Sequence, residues 1–201
     1  MRASMDFASP DDATLLDHDA KLELIPALTT QKQLNAFEQT NISVAIEWAI
    51  KSRKLRTTLV SVDGITMLHK RMFNQTWRWA GRFRRKELNI GVEWIMIPEQ
   101  LRALCDDVLY WTEHAVFEPT EIAVRFHHRL VQIHPFPNGN GRLSRLAADL
   151  FLQYRKVPPL TWGGTIDLNN NGPHRREYIA SLRDADGGGY DRLIRFAVSD
   201  P

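Results

Sequence analysis

The chain predicts a mainly helical single domain, on two observations. Apolar residues recur every three or four positions through most of the 201 residues, whereas one stretch, Leu88 to Ile97, alternates with a period of two. Internal repeats and low-complexity tracts are absent, and the length suits one domain with a sizeable core. Residues 1–25 are rich in Asp, Ala and Pro and read as a loose N-terminal arm, leaving 26–201 as the domain.

The elements follow in order. From Lys32 to about Lys54 a stripe of Leu34, Phe37, Val44, Ala45 and Trp48 predicts a helix, with Thr29 or Thr30 as its cap. Thr58 to about Trp79 forms a second helical region, interrupted at Gly64, with Leu68, Met72 and Phe73 apolar and Trp77 and Trp79 assigned to the core. Leu88, Ile90, Val92, Trp94 and Met96 alternate with other residues as in a hairpin. Pro98 opens a helix through Leu101, Leu104, Val108 and Trp111, in which Cys105 is a packing residue. Ile122, Phe126, Leu130 and Ile133 stripe a helix from Glu121, and Leu143, Leu146, Ala147, Leu150 and Phe151 stripe one from Arg142 to about Tyr154. Pro173 to Arg183 and Tyr190 to Val198 are the closing helices, separated by the break Gly187-Gly188-Gly189.

Composition excludes several classes. With 43% hydrophobic and 25% charged residues the chain is neither disordered nor membrane-spanning, and no apolar run approaches the ~20 residues of a transmembrane helix. A net charge of +2 does not argue for direct nucleic-acid binding, and the run Arg82, Arg84, Arg85, Lys86 reads as solvated surface. The single Cys105 rules out an intramolecular disulfide and fits a cytoplasmic protein, as does an N-terminus without an apolar signal core.

Chemistry concentrates in residues 134–145, His-Pro-Phe-Pro-Asn-Gly-Asn-Gly-Arg-Leu-Ser-Arg. His134 is a candidate base, because imidazole titrates near neutrality. Gly139 and Gly141 permit positive φ, so that backbone amides crowd around one point at the start of a helix, where the dipole favours phosphate oxygens. Arg142 and Arg145, three apart, are placed to reach one anion. The pattern points to phosphoryl or nucleotidyl transfer. His127, His128 and His134 lack zinc spacing, and Phe136 reads as an anchor for the loop.

His134-Pro135-Phe136, Gly139-Asn140-Gly141-Arg142 and Arg145 resemble the signature of Fic-domain proteins. Leu68 to Phe73, Trp77 to Arg84 and Arg176 to Leu182 extend the resemblance across roughly residues 30–198. Asn138 and Glu38 to Ile42 are most similar to the subgroup called mobile mystery protein B, associated with a helix-turn-helix companion protein. The resemblance implies a Fic fold, a helical bundle with a short β-hairpin flap beside the active-site loop. It implies a protein adenylyltransferase moving AMP from ATP to a Ser, Thr or Tyr hydroxyl of a target protein. His134 would be the base; Gly139, Asn140, Gly141, Arg142 and Arg145 would hold the phosphates; Leu88, Asn89, Ile90, Gly91 and Val92 would form the target-docking flap. Gly141 stands where phosphate-transferring relatives carry Lys, which favours nucleotidyl transfer.

The resemblance implies Mg²⁺ as cofactor, with Asn138 as its expected contact. Asn138 stands where the family has Asp or Glu, and its neutral carbonyl oxygen can still coordinate, directly or through water, but without anionic attraction. This opens the alternative of a nucleotide-binding or partner-binding regulatory protein with weak or altered chemistry. Tyr178 is a candidate adenine or ribose contact, or else a core tyrosine. Leu34 to Gln39 keeps only Glu38 in register with the family's inhibitory helix, here about residues 32–53, which implies that Glu38 pairs with a signature arginine, Arg145 being the expected one.

Overall fold

A computed structural model describes residues 18–164, 168 and 172–199. Its helices are α1 (His18–Leu22), α2 (Gln31–Lys51), α3 (Arg53–Thr58), α4 (Val62–Phe73), α5 (Ile97–Glu113), α6 (Pro119–Ile133), α7 (Asn140–Gln153), α8 (Pro173–Asp186) and α9 (Asp191–Val198), with 3₁₀ turns at Trp94–Met96 and Trp162–Gly164. Thr30 caps α2 in a reciprocal box with Gln33, and proline opens α5, α6 and α8, where a missing N–H costs nothing.

α6 and α7 form the most extensive helix pair and carry the signature loop between them; α4, α5 and α9 pack around this pair, and α2 bridges α4 and α7. Phe73, Phe126, Phe136, Phe151 and Leu143 are fully buried where these helices meet. The buried thiol of Cys105 is pushed up to about 12, by desolvation first and Asp106 second, and behaves as a packing group.

Three expectations change. The buried face of α2 is Leu34, Glu38, Ile42, Ala45 and Ala49, whereas Val44 is 63% exposed, so the stripe is turned about one residue and Glu38 sits in its middle. The N-terminal segment docks from Ala20 onward: the Trp79 indole donates to the Ala20 carbonyl, Leu24 and Trp77 form an isolated antiparallel bridge, and Ile25 and Arg78 donate to Thr76 and Glu23 carbonyls. Residues 1–17 of the expected arm lie outside the described residues.

The third change is the flap. Among the described residues no strand ladder forms over Leu88, Asn89, Ile90, Gly91 and Val92. The segment instead wraps around the guanidinium of Arg84, which donates to the carbonyls of Lys86, Val92, Ile133 and His134 and is only 4% exposed. One buried cation satisfies the carbonyls that cross-strand N–H groups would otherwise take, so the period of two produces a loop.

Candidate active site

Pro135 disfavours the right-handed helical region at His134, so α6 does not run on through it. His134 ends α6 in the left-handed region (φ 53°), its N–H on the Leu130 carbonyl at 3.2 Å. A non-glycine residue held there costs on the order of 1 kcal/mol or more, a strain typical of functional positions. The Nδ1 of His134 lies 3.2 Å from the Val131 carbonyl, which fixes the tautomer with N–H at Nδ1 and a lone pair on Nε2. Burial first, and the Arg84 guanidinium in addition, press its pKa down to about 4 against the raising effect of the Val131 bond. The imidazole is therefore neutral at physiological pH.

The loop that follows is held from both sides. Asn140 closes it from within: its Oδ1 accepts from Phe136 N–H at 2.9 Å and its Nδ2 donates to the Phe136 carbonyl at 2.8 Å. His69 of α4 pins it from outside. Gly81 N–H donates to Nδ1 at 2.9 Å, so the Nε2–H donates to the Asn138 carbonyl at 3.1 Å, and the ring stacks on Phe136 at 3.8 Å. Burial lowers the His69 pKa to about 3, which keeps this two-sided contact neutral. Gly139 has φ +79° at the N-cap of α7, and a Cβ there would lie 2.6 Å from the Phe73 ring, so only glycine fits. Gly141 has no positive φ and lies inside α7; the expected left-handed turn there does not occur.

The two arginines part company. Arg142 Nη1 donates to Glu38 Oε2 at 2.7 Å, with its guanidinium 4.9 Å from the Phe73 ring. Arg145 lies over Tyr178 at 5.6 Å. The expected Glu38 pairing with Arg145 is thus replaced by one with Arg142, because α2 packs against the face of α7 that carries the earlier arginine. Tyr178 is 4% exposed with its hydroxyl 3.2 Å from His127 Nε2. Packed in this way its ring backs Arg145 and offers no open face to adenine, so the core reading of Tyr178 replaces the nucleotide contact.

Asn138 Oδ1 accepts from Gly139 N–H at 2.6 Å and faces Arg142 Nη2 at 3.5 Å. A neutral oxygen already engaged and set beside a guanidinium does not fit a magnesium ligand, which prefers anionic oxygens. Among the described residues no group of three or more His, Cys, Asp or Glu side chains could hold a metal. The expected metal contact of Asn138 is therefore not supported.

Beside the loop lies a cavity of about 670 Å³, lined by Trp79, Phe83, Leu88, Trp94, Ile95 and Pro137 among others. Gly91 closes the segment against the site: its φ is +111°, and a Cβ would meet His134 Cβ at 2.7 Å. Three contributors escaped the sequence reading: Arg84, His69 and Trp77, whose indole donates to Glu38 Oε1 at 2.7 Å. For His69 a signal existed, since it shares the buried face of α4 with Leu68, Met72 and Phe73.

Fold and site together define a helical domain built around the one loop that joins α6 to α7. Residues 59–152 match the model of the Fic/DOC family, and the chain carries a Fic domain. Protein adenylyltransferase fic-1 of Caenorhabditis elegans is 30% identical over 143 residues, which is 69% of this chain and 27% of that protein. A solved fragment of Fic-1 from C. elegans superposes with a TM-score of 0.61 at 27% identity, covering 90% of this chain and 52% of the fragment. The N-terminal Fic domain of a Bartonella sp. AR 15-3 effector reaches a TM-score of 0.67 at 16% identity, over 90% of this chain and 91% of that one, and shares the fold. The chain spans little more than a quarter of the length of the curated relative. No helix among the described residues is long and apolar enough to cross a membrane.

Proposed function

We propose that this protein is an adenylyltransferase that moves AMP from ATP to a hydroxyl side chain of a target protein in the cytoplasm. The observation that carries the reading is His134, buried, neutral and fixed in one tautomer at the mouth of a loop that leads into the N-terminus of α7. In the proposed step Nε2 takes the proton of a Ser, Thr or Tyr hydroxyl, and that oxygen attacks the α-phosphorus. The bond from the α-phosphorus to the bridging oxygen breaks and pyrophosphate leaves. Backbone N–H groups of Asn140 and Gly141, that of Gly139 once Asn138 Oδ1 releases it, and the guanidiniums of Arg142 and Arg145 would carry the phosphate charge. ATP's own phosphates, not Asn138, would supply the ligands of any Mg²⁺ that enters with it. The cavity beside Pro137, with the Leu88–Val92 segment at its side, is the proposed place for the target segment. A helix-turn-helix protein is a proposed companion.

The same reading includes restraint by Glu38. Its carboxylate is 5% exposed and holds Arg142, so a nucleotide phosphate must displace it to use that guanidinium. Glu38→Gly is expected to raise labelling of the protein or of a lysate target from labelled ATP by roughly an order of magnitude, the scale of a lost charge-assisted hydrogen bond. Equal labelling by the two proteins, at equal thermal stability, would leave Glu38 as a structural residue.

A further inference from the structure

Glu38 has two carboxylate oxygens, and the proposed restraint of Arg142 uses one of them. The other, Oε1, accepts from the Trp77 indole at 2.7 Å, 39 positions away, while Oε2 accepts from Arg142. The two contacts fix the carboxylate in direction as well as position. Trp77 is itself fixed: it is 1% exposed, its ring stacks on Trp79 at 5.1 Å, and its backbone bridges to Leu24. Trp79 in turn donates from its indole to the Ala20 carbonyl at 3.2 Å, so residues 20–25 back both rings. One helical turn past Glu38, Asn41 Nδ2 donates to Thr76 Oγ1 at 3.1 Å, tying α2 to the residue before Trp77.

We infer that Trp77 is a positioning residue for the restraint: its indole latches Glu38 onto Arg142, and the docked segment 20–25 keeps the latch closed. The inference rests on the reading of Glu38 as a restraint. Its physical content is a competition for one guanidinium. A carboxylate free to rotate on α2 loses side-chain entropy when it pairs with Arg142, whereas one already oriented by an indole N–H loses little. The latch therefore raises the threshold that the phosphates of ATP must overcome at Arg142. The backing segment holds on through Ile25 N–H on the Thr76 carbonyl, Arg78 N–H on the Glu23 carbonyl, the Trp79 indole on Ala20 and the ion pair of Glu23 with Arg82, so its detachment would loosen the two tryptophans and weaken the restraint without touching the loop.

The test is a double-mutant comparison on the full chain, read as covalent labelling from ATP. Trp77→Phe keeps an aromatic ring and removes the N–H; it is expected to raise labelling roughly tenfold, the scale of a hydrogen bond to a charged group. In the Glu38→Gly background the same change is expected to have no further effect, because there is no carboxylate left to hold. If Glu38→Gly raises labelling but Trp77→Phe labels as wild type does, or if Trp77→Phe changes labelling equally in both backgrounds, the latch is overturned and the restraint survives. If Glu38→Gly itself changes nothing, the restraint falls, and the latch with it. Should Trp77→Phe melt within the assay range, Trp79→Phe, which removes the bond to Ala20 and keeps an aromatic ring against Trp77, is expected to give an intermediate increase in self-labelling, and no increase would overturn the inference.

Discussion

Replacing His134 by alanine is expected to reduce nucleotide transfer by about 10² to 10⁴, the usual contribution of a positioned general base. Folding and nucleotide binding should change far less. The proposed phosphate cradle consists of backbone N–H groups and arginines, and the loop is fastened by Asn140 and His69, none of which depends on the His134 ring. The measurement pairs labelled-ATP transfer with nucleotide binding on the same preparation. Loss of transfer with binding retained is the expected pattern; transfer at the wild-type rate would remove His134 from the chemistry. The depressed pKa adds a signature. His134 stays neutral until the pH approaches about 4, so the acid limb of the rate profile should not show the half-loss near pH 6.5 of an ordinary imidazole base.

The second large effect is on stability. His69, His127 and His134 are buried and neutral, with His69 brought to about 3, His134 to about 4, and His127 well below its ordinary value, each by desolvation first. In the unfolded chain each takes up a proton near pH 6.5, while in the folded protein it does not. Below pH 6.5 the unfolded state therefore binds more protons, and stability falls as pH falls, at about 1.4 kcal/mol per pH unit for each group. Above pH 6.5 these histidines contribute no pH dependence. Against a typical total of about 5–15 kcal/mol the domain is expected to unfold in mild acid. Protonating His69 would also set an N–H against the Gly81 N–H and release the signature loop. Urea midpoints measured from pH 7.5 to 5 should decline steeply; a flat profile would contradict the buried neutral histidines.

The helices and the loop were legible because their signals are local. The stripes of α6 and α7, the glycine at the α7 N-cap and the histidine before it lie within a few residues of one another, and all stand where their spacing put them. Signals that depend on distant partners were not legible. Arg84 sits in a basic run that resembles surface, and carbonyls as distant as those of Ile133 and His134 make it a buried anchor. That anchor also undid the expected hairpin, since a side chain took the bonds that the alternating pattern implied for a partner strand. Glu38 was identified by register, but its partner was missed: Arg142 and Arg145 are equivalent along the chain, and the choice between them depends on how α2 lies against α7 across 104 positions. The α2 stripe failed for a related reason, because a buried carboxylate at its centre breaks an apolar pattern.

The central claim is nucleotidyl transfer at a loop led by His134, and the fate of the two ends of ATP tests it most directly. The Glu38→Gly protein, incubated with a target lysate, should receive ATP labelled either on the α-phosphate or on the γ-phosphate. The account predicts that protein carries the α-label, not the γ-label, and that adding His134→Ala abolishes the α-label. Stable incorporation of the γ-label would make this a phosphoryl transferase, and α-labelling that survives the loss of His134 would contradict the account.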